Sequence, residues 1–181
     1  CKNTTASNNI GIGGCALHDN TTGCCNVAIA FKSLENNTTG NYNVGIGPSA
    51  LLYNATGLNN VAIGAMAHSG GHPYSNSGSS NVAIGYQAMF YNRNGNCNVA
   101  LGYNALYTNI CGSHNTSIGW QSMYYSTSGD YNFSAGYRNL MDNTIGRDNV
   151  SLGYLGLTNN TTGCCNIAIG SNTLHSNTIG T

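Results

Sequence analysis

The stretch Asn81-Val82-Ala83-Ile84-Gly85 decides the fold, because its pattern recurs along the entire chain. Each copy begins with an asparagine, and successive copies start seventeen residues apart, except that twenty-one residues separate Asn60 from Asn81. A short period kept this strictly is typical of a solenoid, in which each repeat forms one coil and stacks on the next. The ten repeats begin at Asn9, Asn26, Asn43, Asn60, Asn81, Asn98, Asn115, Asn132, Asn149 and Asn166.

Positions within the repeat, counted from its first asparagine, differ in the side chains that they accept. Positions two and four are mostly Val, Ile or Leu, and such alternation predicts a short strand with one buried face. Position three is always Gly, Ala or Ser, which indicates a tight contact on the opposite face. Position nine is mostly Leu or Met. We therefore expect positions two, four and nine to fill the core, and position three to pack against another copy of the chain.

These features predict an all-β protein, a parallel β-solenoid or β-roll of about ten 17-residue coils. Residues 1–181 form a single repeat domain, which we expect to be a segment of a longer rod, and four extra residues form an insertion in the 65–80 region. Ten coils stacked about 4.8 Å apart give a rod on the order of 50 Å long. Since each coil offers few large apolar side chains, we expect it to pack against copies of itself in a closed symmetric oligomer.

Composition excludes several classes of function. Only 6% of the residues are charged and the formal net charge is zero, so there is no basic surface for nucleic acid. No apolar run is long enough to insert into a membrane. The few acidic residues are scattered and no nucleophile motif is present, so we predict neither enzymatic activity nor a cofactor or metal.

The asparagine at position one is present in all ten repeats. Identical residues of stacked coils lie one above another, and amides can hydrogen-bond along such a column. We therefore predict a structural Asn ladder formed by the ten asparagines that begin the repeats. A ligand site on the ladder is the alternative.

The phrase N-V-A-I-G, with small residues alternating against Val and Ile, resembles the head repeats of trimeric autotransporter adhesins. Those heads are parallel β-rolls in which three chains pack around a fibre axis. The longer repeat, with a turn such as N-T-T-G at residues 160–163, is similar to repeats in fibre proteins of bacteriophages and large DNA viruses. The resemblance implies a homotrimeric fibre or shaft segment of an extracellular, virion-surface or cell-surface appendage, serving attachment or acting as a spacer.

Aromatic residues occupy position six in five consecutive repeats and position ten in three of them. Stacked coils would align them in columns, either as packing or as a platform for sugar rings. A glycan-binding adhesin module is therefore an alternative function, and an ice-binding solenoid is a weaker one because the threonine columns are interrupted. The candidate platform, here called the aromatic stripe, comprises Tyr86, Tyr103, Trp120, Tyr137 and Tyr154.

Two cysteine doublets, Cys24-Cys25 and Cys164-Cys165, occupy the same place in repeats far apart in the chain. In a three-fold trimer each doublet would bring two thiols per chain to one height, which predicts interchain disulfides in an oxidising environment. Buried free thiols, or metal ligation with a nearby histidine, are the alternatives.

Glycosylation signals N-x-S/T recur in the turns of the repeat, and we predict their asparagines as acceptors if the protein is glycosylated. The stretch that contains the insertion includes His68, His72 and Tyr74, which form either a solvated loop or a metal site. The candidate glycosylation sites are Asn20, Asn37, Asn54 and Asn160.

Overall fold

The fold is a parallel β-solenoid. The computed structural model describes residues 4–71 and 76–181, and in this part of the chain there is no helix. Ten strands form one sheet in chain order, so the all-β prediction is confirmed. The strands are β1 (Ile10–Ile12), β2 (Val27–Ile29), β3 (Val44–Ile46), β4 (Val61–Ile63), β5 (Val82–Ile84), β6 (Val99–Leu101), β7 (Thr116–Ile118), β8 (Phe133–Tyr137), β9 (Val150–Tyr154) and β10 (Ile167–Ile169).

Neighbouring strands pair at equal positions of the repeat. Val82 pairs with Val99 and Ala83 with Ala100, so one repeat makes one coil. The register continues across the insertion, where Val61 pairs with Val82. The four extra residues are therefore accommodated on another side of the coil, and the sheet is uninterrupted.

The side of the strand that faces the core is opposite to the one predicted. Position three is inside, and Ala62 and Ala83 are completely buried. Positions two and four point outward, and Ile63 and Ile84 are 37% and 39% exposed. The interior is too narrow for β-branched residues at this place, since a Cβ on Gly11 would already contact the Leu17 side chain of its own coil at 3.7 Å. The tight contact at position three is thus made within the chain.

The core is a column with one large side chain per coil. Position nine supplies it, as predicted, and the small residues at positions three and eight pack around it. Backbone hydrogen bonds between successive coils also join this side of the solenoid, for example from the Leu106 N–H to the Ser122 carbonyl at 3.0 Å. The buried position-nine residues of apolar type are Leu17, Leu34, Leu51, Met89, Leu106, Met123, Leu140 and Leu157.

Left-handed backbone conformations make the coil this tight. The glycines at position five have φ between 119° and 136°, and the one exception, Ala30, has φ 103°. Positions seven, nine and seventeen are also left-handed without being glycine, as Gln87 (φ 53°), Met89 (φ 52°) and Cys97 (φ 56°) show for one coil. L-residues adopt this region at some energetic cost, so the stacked hydrogen bonds must hold each corner in place.

Candidate functional site

The predicted Asn ladder is present and is engaged within the chain. The backbone N–H of Asn43 donates to Oδ1 of Asn26 at 2.9 Å, and Nδ2 of Asn43 donates to the Gly57 carbonyl at 2.8 Å. The same bonds recur from coil to coil as far as Asn166, and the ladder is buried from Asn26 onward. The oxygen of each amide accepts a hydrogen bond from the next coil, and its nitrogen donates to the turn of its own coil. This use of both atoms supports a structural role.

Position twelve carries a second Asn column that sequence analysis interpreted differently. Nδ2 of Asn37 donates to Oδ1 of Asn20 at 2.8 Å and to the Gly40 carbonyl at 3.0 Å. The predicted glycosylation sites belong to this column. Their side chains are at most 2% exposed, because each amide turns inward toward the glycine carbonyl of its own turn, and this burial argues against their glycosylation in the folded protein. The four sites concerned are Asn20, Asn37, Asn54 and Asn160.

The turn glycine at position fifteen connects the two asparagine columns. The Gly40 carbonyl accepts hydrogen bonds from both Asn26 and Asn37. A Cβ on Gly40 would lie 2.5 Å from the Gly57 carbonyl oxygen and 2.5 Å from Oδ1 of Asn37. This close approach explains why every repeat keeps glycine here.

The outer sheet face, formed by positions two and four, is a regular apolar surface. It runs along all ten strands and contains no charged residue. Its side chains are half-buried or exposed, although their types are those usually found in a core. Within the single chain this face has no covering layer among the described residues.

The aromatic stripe is a continuous stack of rings. Consecutive centroids are 5.0–5.9 Å apart and the planes are within 17° of parallel. Each inner ring therefore has both faces against its neighbours and presents mainly an edge to solvent. Sugar rings bind aromatic faces, so this geometry favours packing of the stripe over a platform along its length.

A second column of rings stands beside the stripe at position ten. Phe90 stacks on Tyr107 and Tyr107 on Tyr124, with centroids 5.5 and 4.8 Å apart. Burial, with Tyr91 nearby, raises the pKa of Tyr107 to about 12. This column is therefore also part of the packing.

The cysteine doublets are unbridged within the chain. All seven cysteines in the described part of the chain have free thiols, and Cys1 lies outside it. The Ser7 hydroxyl donates to the Cys24 thiol at 3.7 Å, and hydrogen bonds from Ser7 lower the pKa of Cys24. Each doublet immediately precedes the asparagine that leads into a strand, Cys25 before β2 and Cys165 before β10. The doublets thus lie just before two strands of the sheet.

His68 has a structural position that sequence analysis missed. It occupies position nine, where other repeats have Leu or Met, and is completely buried. Nδ2 of Asn92 lies 2.9 Å from Nε2 of His68. Because an amide nitrogen only donates, Nε2 accepts and the neutral ring carries its proton on Nδ1. Burial lowers the pKa of His68 to about 4.

The candidate metal site in the insertion is only partly described by the structure. His72 and Tyr74 lie outside the described residues. Among residues 4–71 and 76–181, no group of three or more His, Cys, Asp or Glu side chains is placed to hold a metal ion. In the same ranges, no helix is long and apolar enough to cross a membrane. Comparisons with protein-family models, curated proteins and solved structures found no match to this chain.

Proposed function

We propose that this chain is a shaft segment of a homotrimeric fibre, in which copies pack side by side through the outer sheet face. One observation carries the proposal: an uncharged Val- and Ile-rich sheet face follows the whole rod and is uncovered in the single chain. The fibre belongs to an extracellular, virion-surface or cell-surface appendage and serves as a spacer or attachment shaft. The trimeric number and the location rest on the resemblance of the repeats.

Burial energetics favour self-association through this face. Each coil has one large side chain inside and two mostly β-branched ones outside, so most of its large apolar side chains are only partly covered in the single chain. Soluble monomers rarely expose contiguous apolar patches larger than a few hundred Å². Parallel copies have the same coil spacing, so their faces match along the full length of the rod, and rotation about a common axis closes the assembly.

The interior suits a stiff spacer. The Asn ladder, the second Asn column and the backbone bonds between coils all run along the rod. Bending the rod would stretch several hydrogen bonds in every coil that bends. A rod built this way resists bending and keeps its two ends at a fixed separation, which is the mechanical requirement of a shaft.

The test compares a charge on the outer face with a charge elsewhere. Ile63→Asp places a carboxylate on the outer sheet face, and Thr39→Asp places one on an exposed turn. We expect Ile63→Asp to dissociate the assembly into chains that keep their β circular dichroism, and Thr39→Asp to leave the assembly intact. Equal assembly of both variants and the parent protein would overturn the proposal.

The cysteine doublets would close covalent links in such an assembly. Cys25 and Cys165 precede strands whose outer face meets the neighbouring copy in this proposal. In oxidising surroundings, electrophoresis without reductant should show a band at three times the chain mass, which reduction converts to the single chain. A monomer band in both lanes would reject the links while leaving non-covalent packing to the charge test.

A further inference from the structure

A groove lies on a different side of the rod from the outer sheet face. It runs along coils six to nine, counted from the coil that begins at Asn9, and has a volume of about 480 Å³. This volume is within the range of small-molecule sites. Position eleven forms one side and position thirteen the other. The lining residues are Thr108, Tyr125 and Asp142 on the first side, and Thr127, Thr144 and Thr161 on the second.

Tyr125 differs from the rings of the aromatic stripe because its ring is not part of a stack. Its neighbours in the position-eleven column are Thr108 and Asp142. The adjacent Tyr124 lies in the position-ten stack, and the Tyr125 ring stands at 79° to it with centroids 4.6 Å apart. The planes of the stacked rings are roughly perpendicular to the rod axis, so the plane of the Tyr125 ring is roughly parallel to that axis. Tyr125 is 47% exposed and lines the groove, so part of its ring is accessible to a ligand there.

The opposite side of the groove is apolar although it consists of threonines. The Thr127 hydroxyl donates to the Thr144 carbonyl, and the Thr144 hydroxyl to the Thr161 carbonyl, both at 3.0 Å. The Thr161 hydroxyl donates in the same way to the Thr178 carbonyl. Since the hydroxyls are used along the rod, the methyl groups are the part of these side chains left to line the groove.

Asp142 is the charged residue of the groove lining. Partial burial raises the pKa of its carboxyl, and the Arg138 guanidinium opposes that rise. A partly desolvated carboxylate gains most from ligand groups that donate hydrogen bonds. The positive charge of Arg138, which acts on Asp142, would oppose a cationic ligand, so neutral hydroxyl donors fit this carboxylate better.

The second Asn column is interrupted beneath the groove. Position twelve of coil seven is Ser126, where most coils have an asparagine of the second Asn column. Ser126 Oγ and Asn109 Oδ1 are both buried without a hydrogen-bond partner. The column is therefore broken at the coil that carries Tyr125, as it also is at the insertion, where Asn76 has buried amide atoms without a partner.

We propose that this groove binds a neutral hexopyranose unit of a glycan. The C–H face of the sugar packs on Tyr125, its edge contacts the methyl groups of Thr127 and Thr144, and its hydroxyls donate to Asp142. An aromatic face combined with one hydrogen-bonding carboxylate matches a ring that has an apolar face and a polar rim. The site lies within one chain, so it goes beyond the shaft role and does not depend on the oligomer.

Saturation-transfer NMR with the methyl glycosides of glucose, galactose, mannose and N-acetylglucosamine tests this proposal on the full chain. We expect at least one glycoside to bind. Tyr125→Ala should weaken its binding at least tenfold, Tyr125→Phe should retain it because the ring face remains, and Asp142→Asn should weaken it. Tyr42→Ala, which removes an exposed tyrosine outside the groove, is the matched control and should bind as the parent does.

Three results would overturn the glycan site. These are the absence of binding by all four glycosides, binding that Tyr125→Ala leaves unchanged, and preferential binding of the cationic probe lysine methyl ester. The conservative variants Tyr125→Phe and Asp142→Asn keep the test valid if Tyr125→Ala does not fold. Dissociation of the oligomer by Ile63→Asp should leave glycoside binding unchanged, so failure of the shaft proposal and failure of this site are distinguishable.

Discussion

At the scale of single residues, each position of the coil makes a separate steric demand. Position five has a left-handed backbone and also lies close to the next coil. A Cβ on Gly47 would lie 2.7 Å from the Gly64 carbonyl carbon, so glycine is favoured there. Position fifteen has no room for a side chain, because its carbonyl accepts hydrogen bonds from two asparagines. Ala30 is the exception at position five, with φ 103°.

Ala30→Gly should stabilise the protein. Residues other than glycine are strained by about 1–3 kcal/mol in this region of φ and ψ, and part of that is regained when the Cβ is removed. We expect the free energy of unfolding, measured by urea denaturation, to rise by about 1 kcal/mol. Ala28→Gly is the control, since Ala28 is buried inside the coil and its loss should destabilise. Equal destabilisation by both changes would contradict the strain at Ala30.

His68 should make stability depend on pH. Its pKa is about 4 in the folded protein and 6.5 in the reference state, so the unfolded chain binds more protons between these values. The contribution of neutral His68 is therefore fully present above pH 6.5 and is lost as pH falls toward 4, by up to about 3 kcal/mol. His68→Leu restores the usual residue of position nine and removes this dependence.

The measurement compares urea denaturation of the parent and His68→Leu at pH 7.5 and 4.5. The other titrating groups are common to both proteins, so the difference between the two pH dependences isolates His68. The variant should lose less stability on acidification than the parent. Identical losses would show that His68 is not held neutral in the core.

At the scale of elements, strands of mostly three residues depend on side-chain ladders for support. Asn98 shows this, since its Oδ1 accepts the Asn115 N–H at 2.9 Å and its Nδ2 donates to the Gly112 carbonyl at 2.8 Å. The bonds fix the entry of β7 against β6 and tie the strand to the turn of its own coil. The ladder thus stabilises the short strands of the coil, as the larger number of backbone hydrogen bonds between longer strands stabilises an ordinary sheet.

Asn98→Ala should destabilise the rod locally and overall. It leaves the buried Asn115 N–H without its acceptor, at a cost of about 1–3 kcal/mol. The Gly112 carbonyl keeps Asn109 as a donor but loses the second one. Hydrogen exchange should show faster exchange of the Asn115 amide, and urea denaturation should show a lower free energy of unfolding. The exposed Asn94→Ala is the control. Unchanged protection at Asn115 would contradict the ladder's role.

Sequence periodicity was sufficient to predict the coil, its register, the buried asparagine of position one and the buried Leu or Met of position nine. It was not sufficient to predict which face of the strand is inside. Alternation shows that Ala83 and Ile84 lie on opposite faces, yet it does not show which face is inside. Large apolar residues are usually buried, and that general tendency gave the wrong choice here because the coil interior is too narrow. The groove escaped prediction for a related reason: it depends on the upright ring of Tyr125, which no spacing reveals.

At the scale of the whole molecule, the narrow interior and the apolar exterior have one explanation. A coil that buries only one large side chain has little hydrophobic stabilisation of its own, whereas ten coils with matching outer faces can share a second core between copies. In the fibre that we propose, the outer sheet face would be the interface between copies, and the cysteine doublets precede two of its strands. The groove lies on another side of the rod.

Sedimentation equilibrium of the unmodified protein, with reductant present, tests the central claim most directly. If the outer sheet face is an interface between copies, the protein should sediment at three times its 18.8 kDa chain mass. Reductant removes disulfides, so the mass reports non-covalent packing alone. A folded protein that sediments as an 18.8 kDa monomer at micromolar concentration would contradict the account.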